Sequence, residues 1–530
     1  MAPEHPARRH TSPVAIVEYI EEDEDNDFNP QRFIRHISED HDEDEDDSAK
    51  EYIGAAGVMS SITNLSNTIL GAGILAMPHA LSSDGIVLGF IVILVSGFTS
   101  AAGLFLQYRC SRYLNRGTAS FFALAQQTYP QLAILFDAAI AVKCFGVGVS
   151  YLIIIGDLMP QVIVDFFYSN TANIPLNTAD SRQFWVTLFM FILIPLCFMR
   201  KLDSLKYTSV IALVAIGYLT LLVVGHWITG DTLEHRGEIS LGPKSLTSVL
   251  SSLPVVVFGF TCHQNMFSVV NELRDNRQPS VLHIIFTSIG SAIVLYSLVG
   301  FTGYMSFGDT VGGNISSMYS SSFASAVGRL AIVILVLFSY PLQCHPCRTS
   351  VDHIFTHFIL PVVTGTPAPS PLSSRTSNKI IPTRRFIITT AIIMLFSYLI
   401  AMTVTSLETV LAFVGATGST SISFILPGLF GYKLLGSPYH LPIPEATDDD
   451  EQLLDSSDGI QSSVRLGRPQ TSPHAEAGES REMIRGPDGE GYYIKYGSLL
   501  LACWGLFIMI TCLSSNIYML YYIEEEHANP

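Results

Sequence analysis

The stretch "NLSNTILGAGILAMP", residues 64–78, sets two Asn, a Ser, a Thr and Gly71-Ala72-Gly73 inside an otherwise apolar run. Low helix propensity at the Gly-Ala-Gly lets a helix open there. Amides freed at the start of the following half-helix suit a carboxylate, and freed carbonyls on the other side suit an ammonium group or a small cation. Gly71, Ala72 and Gly73, with Thr63 and Asn67 on the preceding half-helix, are therefore candidate binding residues. The same small residues also fit close helix packing. A second interruption lies at "LPVVVFGFTCHQNMFSVVNE", 253–272, where Gly259 can release the backbone, Phe258 and Phe260 can wall a pocket, and His263 supplies a titratable imidazole able to bind substrate or to carry or gate a coupling proton. A buried His can equally hydrogen-bond a neighbouring helix.

Two further positions carry polar chemistry. Ser339, in "LFSYPLQCHPCR" at 337–348, can offer its hydroxyl to a cation together with first-helix carbonyls. It can also bond back to its own helix next to a kink at Pro341. Cys344 and Cys347 flank His345, but no second pair stands at metal-ligand spacing, so neither a metal nor a cofactor is expected. In "DAAIAVKCFGVGVSYLIIIGDLMP", 137–160, Ser150 and Asp157 follow Lys143 by 7 and 14 residues, which places all three within about 40° on one helix face. That face must turn away from lipid, because a Lys there costs about 2.5–3.5 kcal/mol on insertion scales. Lys143 can stand in for a coupling cation or relay a proton, or it can be a structural Lys that snorkels or pairs with a carbonyl.

The elements that must hold these residues are membrane helices. The chain has 530 residues, 48% of them hydrophobic and only 14% charged. Apolar runs of membrane-spanning length fall near 55–77, 85–107, 131–158, 183–199, 207–229, 249–271, 283–306, 325–345, 386–404, 408–431 and 497–522. This predicts an all-α polytopic membrane protein of about eleven spans. The two interrupted elements are the first and the sixth, as two inverted five-helix repeats require. Acidity is confined to two polar segments: residues 1–50 have a net charge of −11 and residues 441–490 of −8, against −17 for the whole chain. The predicted organisation is an acidic disordered tail at 1–50, a ten-helix core at 51–435, an acidic disordered loop at 436–495, an eleventh helix at 496–522 and a short tail at 523–530.

Orientation follows from basic residues in the short loops. Arg109, Arg112, Arg116, Arg200, Lys201, Lys206, Arg274, Arg277, Arg348, Arg375, Lys379, Arg384 and Arg385 fall on one side, and Arg182, Arg236 and Lys244 on the other. The excess predicts a cytosolic N-terminus and an exterior or lumenal C-terminus. Asn314-Ile-Ser316 then lies in an outward loop as a glycosylation sequon.

The stretches at 64–78 and 143–160, with "GFTCHQNMFSVVNEL" at 259–273, "GYMSFGDTVGGNI" at 303–315 and "LETVLAFVGATGSTSISFILPGLFGY" at 407–432, resemble the amino acid/auxin permease family. Within it the chain is similar to fungal vacuolar amino acid transporters and, beyond those, to the animal sodium-coupled neutral amino acid transporters. The resemblance covers about residues 55–435 plus the last helix. It implies a LeuT-like fold of two inverted five-helix repeats with an eleventh helix, and amino acid transport coupled to protons or sodium. It further implies that Asn67 and Ser339 occupy the positions that contribute to the cation site in sodium-coupled relatives. The vacuolar resemblance favours proton-driven export from lumen to cytosol.

Other classes fit less well. A channel needs a continuous polar stripe, and an enzyme needs converging acids or a His cluster; the apolar runs carry only isolated polar residues. An amino acid sensor of the same fold is the remaining alternative, with the acidic tails binding cytosolic partners. The expected partners are an amino acid, a coupling proton or sodium ion, and membrane lipid, with no nucleic acid.

Overall fold

The computed structural model describes residues 54–167, 181–200, 208–360, 381–435 and 490–528. The predicted acidic tail, most of the predicted acidic loop, and Lys201, Lys206, Arg375 and Lys379 lie outside them. All described regular structure is helical except a short parallel bridge between Ala56 and Leu273. Among the described residues, nine helices are long and apolar enough to cross a membrane, and Arg182–Cys197 is a shorter apolar helix.

The first element is a pair of half-helices, α1 (Val58–Ile69) and α2 (Gly73–Asp84). Helix α3 (Ile86–Ser111) follows at once, then the short α4 (Phe121–Thr128), α5 (Ala133–Phe167), α6 (Arg182–Cys197) and α7 (Thr208–Thr229). A second broken pair comes next, α8 (Leu246–Gly259) and α9 (His263–Glu272), followed by α10 (Gln278–Phe307), α11 (Phe323–Ile354) and α12 (Thr383–Thr403). The tenth element begins as α13 (Leu407–Val414), winds as π-helix through Gly415–Ser419 and Ser421–Ile425, and resumes as α14 (Leu426–Leu434). The last helix, α15, spans Glu490–Ala528. A helix or a broken pair thus stands at each expected window, with both breaks in the expected elements.

Local chemistry explains the boundaries. Ser120, Ser245, Ser322 and Ser406 each accept an amide of the first turn, and Ser245 forms a reciprocal capping box with Ser248. Helix α2 stops because Gly85 takes φ 74, where a Cβ would also lie 2.3 Å from the Gly242 carbonyl oxygen. Helix α15 begins earlier than the apolar run suggests. Tyr492 and Tyr496, one turn apart, pack with tilted rings, centroids 4.5 Å apart, and support extra turns ahead of the apolar segment.

Packing places the broken pairs at the centre. Helix α2 lies against α8 and α10, while α5 runs along α11. A buried ion pair, Arg329 with Asp165, pins α11 to α5, and the same guanidinium donates to the carbonyls of Ser316 and Tyr319. Phe98, Leu221 and Leu500 are exposed on outer faces, as side chains meeting lipid must be.

Candidate functional site

The two breaks meet back to back. Helix α1 ends at Ile69, the chain turns as the Gly71 amide bonds the Ile69 carbonyl at 2.9 Å, and α2 restarts at Gly73. Helix α8 ends at Gly259, and α9 restarts at His263. A Cβ on Gly73 would lie 2.7 Å from the Gly259 Cα, so the breaks approach as closely as glycine backbones allow. The buried Tyr296 hydroxyl of α10 sits between them, 2.6 Å from the Ile69 carbonyl and 2.8 Å from that of Gly259. Carbonyls freed by both unwound turns therefore share one donor. Asn265 adds a cross-link, its Nδ2 donating to Thr68 Oγ1 at 2.6 Å.

Beside this junction is a small cavity of about 10 Å³, room for about one water. The first break contributes Thr68, Ile69 and Gly71 to Gly73, and the second contributes Phe258 and Thr261. Helix α5 supplies Lys143, Val147 and Tyr151, and α11 supplies Gln343. Lys143 is 2% exposed; its Nζ lies 3.4 Å from Gln343 Oε1, and among the described residues it has no carboxylate partner. The site thus combines a fixed cation, unwound backbone and small-residue walls, which suits a zwitterion's carboxylate.

The face of α5 that meets the cavity is Lys143, Val147 and Tyr151, at i, i+4 and i+8, not the expected trio of Lys143, Ser150 and Asp157. Ser150 bonds its own helix at Val147, and Asp157 pairs with Arg182 of α6 at 3.2 Å.

Other residues singled out above fall elsewhere. Thr63 bonds back to the Met59 carbonyl at 2.9 Å. Asn67 donates to Ser209 Oγ of α7 at 3.3 Å, leaving its Oδ1 buried without a partner. Ser339 lies beside Tyr151, one side chain removed from the cavity. Phe260 packs edge-to-face on Tyr296. Asn314 is 6% exposed and its side chain caps the turn Ile315–Ser317.

His263 is fully buried behind the second break. Its Nε2 lies 3.2 Å from the Ser100 carbonyl oxygen, an acceptor only, so Nε2 carries the hydrogen. Its Nδ1 lies 3.0 Å from Ser423 Oγ and accepts from it. A neutral ring satisfies both contacts, and a Cβ on Gly103 would come within 2.7 Å of Nε2. This geometry is that of a structural peg joining α9, α3 and the π-wound segment. Accordingly His263→Ala is expected to cost about 1–3 kcal/mol of stability and to leave the pH profile of transport in place. Thermal unfolding in detergent and a pH series check the two halves separately.

Gln343, Tyr296 and Asn265 complete the site although nothing in the sequence singles them out. Tyr151 and Gln343 sit inside stretches of interest, and the i, i+4, i+8 spacing from Lys143 is the signal that finds Tyr151.

This arrangement agrees with the comparisons. Residues 54–440 match the family described as transmembrane amino acid transporter protein. Vacuolar amino acid transporter 5 of Schizosaccharomyces pombe is 48% identical over 405 residues, covering 74% of this chain and 90% of the relative. Vacuolar amino acid transporter 6 of Saccharomyces cerevisiae is 39% identical over 494 residues, covering 87% and 99%. Sodium-coupled neutral amino acid transporter 7 of Rattus norvegicus is 28% identical over 386 residues, covering 71% and 79%. With two broken helices meeting at a small cavity, and with relatives matched over most of their length, the chain belongs to the transmembrane amino acid transporter family.

Proposed function

We propose that this protein moves amino acids across the vacuolar membrane, driven from lumen to cytosol by protons. The observation that carries the reading is the junction of the two breaks around a cavity faced by Lys143. Unwound helices at the midplane hold substrate in secondary transporters of this kind. A cavity of about 10 Å³ is far smaller than an amino acid, so loading it requires the walls to separate, as alternating access does. The vacuolar relatives support the location, and the basic loops support a cytosolic N-terminus with the α2–α3 turn facing the lumen. An accessibility tag before Met1 should then face the cytosol.

Uptake of an amino acid panel into proteoliposomes, with and without an imposed pH gradient, tests the reading. Accelerated uptake on the gradient, without sodium, is expected. Uptake that needs sodium and ignores the gradient would overturn it.

One observation favours sodium coupling as a second reading: the buried Asn67 Oδ1 has no partner, as a vacant ligand would not. Under proton coupling Ser339→Ala changes uptake little. Under sodium coupling it raises the sodium concentration needed for half-maximal uptake. The sensor reading separates cleanly as well, since deleting residues 1–50 leaves uptake intact in a transporter.

A further inference from the structure

Asp84 ends α2 in a place where a carboxylate has no counter-charge. It is 1% exposed, its Oδ1 lies 2.5 Å from Ser252 Oγ of α8, and its Oδ2 is buried without a partner. Ser252 Oγ also lies 3.0 Å from the Val249 carbonyl oxygen. A hydroxyl has one proton to give. If Asp84 were ionised, Ser252 would have to divide that proton between two acceptors, with Oδ2 left bare. If Asp84 is the neutral acid, its proton goes to Ser252 Oγ and the Ser252 proton goes to Val249, so the chain of donors closes. Only Asp84's carbonyl-type oxygen then remains unpaired, which costs far less than a bare charge.

Among the described residues, no cationic side chain pairs with this carboxyl. Helix α8 has no Asp, Glu, Lys, Arg or His, and neither do the halves of α3 and α10 that pack on the end of α2, where Tyr296 and Tyr304 are the titratable groups. Lys244, whose amide bonds the Ser83 carbonyl, is exposed, and among the described residues Asp84 has no ion pair. On the turns against α2, Asp309 accepts the Glu238 amide. Farther back on α2, His79 faces the Val311 carbonyl at 3.0 Å and Glu408 of α13 at 3.4 Å.

We propose that Asp84 is a proton-binding residue that gates the seam between α2 and α8. The neutral acid is the form compatible with the closed seam seen here. When α2 and α8 part, water reaches the carboxyl and the proton leaves to that water. Acid on this face thereby favours closure over the cavity. The inference concerns gating and does not depend on whether protons or sodium drive net transport.

Exchange of a radiolabelled mixture of the twenty protein amino acids, at equal pH on both sides of the vesicle, reads the gate without a driving gradient. Wild-type exchange is expected to fall about tenfold for each pH unit of acidification once the carboxyl is protonated, the slope of a one-proton requirement. In Asp84→Asn the ratio of acid to neutral exchange, well below one in wild type, should rise to one. A wild-type slope retained by Asp84→Asn overturns the proposal, as does wild-type exchange that is flat with pH. Should Asp84→Asn fail to assemble, wild-type protein decides the matter through a hydrophobic carbodiimide, which reacts with protonated buried carboxyls. Peptide mass spectrometry should find the adduct on Asp84 in acid and its loss toward neutral pH, and absence of the adduct in acid overturns the proposal. The proton-driven reading fails or stands separately, on net uptake under a gradient.

Discussion

Gly73→Ala should bring amino acid uptake to background, while Gly71→Ala retains a measurable share of it. The added Cβ at position 73 meets the Gly259 Cα at 2.7 Å and the Tyr296 hydroxyl at 3.4 Å. The first obstacle is backbone, which has no rotamer to change. Relief requires α2 and α8 to move apart, and with that goes the Tyr296 hydroxyl proton shared between the two freed carbonyls. Overpacking costs typically 1–3 kcal/mol and more where the obstacle cannot turn aside, and the lost hydrogen bond to the buried carbonyls adds to it. At position 71 the nearest atom to an added Cβ is the Tyr151 hydroxyl at 3.4 Å, an ordinary contact on the cavity side. Gly259→Ala falls between the two, because its closest obstacle at 2.8 Å is the flexible end of Met77. Uptake per mole of protein, with abundance read in parallel, gives the order. Equal uptake in the Gly73 and Gly71 variants would show that the breaks do not need to touch.

That ranking shows how far the sequence reaches. Both breaks are legible in it, because Gly-Ala-Gly in the first apolar run and "GFTCHQN" in the sixth contradict simple membrane helices. Which glycine bears the contact is not, since it depends on the register of two helices some 180 residues apart. Lys143 stands out because a cation in an apolar run is costly. Its partner Gln343 is 200 residues away and resembles any polar residue near a helix end. Asp84 is hidden by ordinary local grammar: Asp-Gly after a helix reads as a turn, and only the packing of α8 turns it into a buried acid. The π-wound stretch from Gly415 to Ile425 is masked by its small residues, which read as a plain span. Yet that winding delivers Ser423 to His263 and seats Gly418 on the Lys143 backbone. Residue type thus reports local cost, while role is decided by neighbours the chain brings from far away.

Lys143→Met should abolish transport while leaving the protein as stable as wild type or more so. The stem of Lys143 has little freedom, because a Cβ on Gly418 would lie 2.7 Å from both its Cβ and its backbone nitrogen. Its ammonium is therefore held at the cavity wall, with the Gln343 amide oxygen at 3.4 Å as its hydrogen-bond acceptor. A neutral acceptor does not balance a buried charge, whose desolvation costs several kcal/mol. Such a residue is retained for something that arrives during the cycle, and a substrate carboxylate at the first break is the anion within reach. Met keeps the unbranched stem and removes the charge. Replacing an imperfectly paired buried charge by an apolar side chain of similar volume is commonly neutral or stabilising by 1–4 kcal/mol. Losing the charge that meets a desolvated carboxylate costs about 2–5 kcal/mol, thirty-fold or more in affinity. A structural lysine predicts the opposite pair of results, with lower abundance and undiminished uptake in the protein that survives. Measuring the unfolding temperature and the substrate concentration for half-maximal uptake on one preparation separates the two. A lower unfolding temperature with an unchanged half-maximal concentration would remove Lys143 from the binding site.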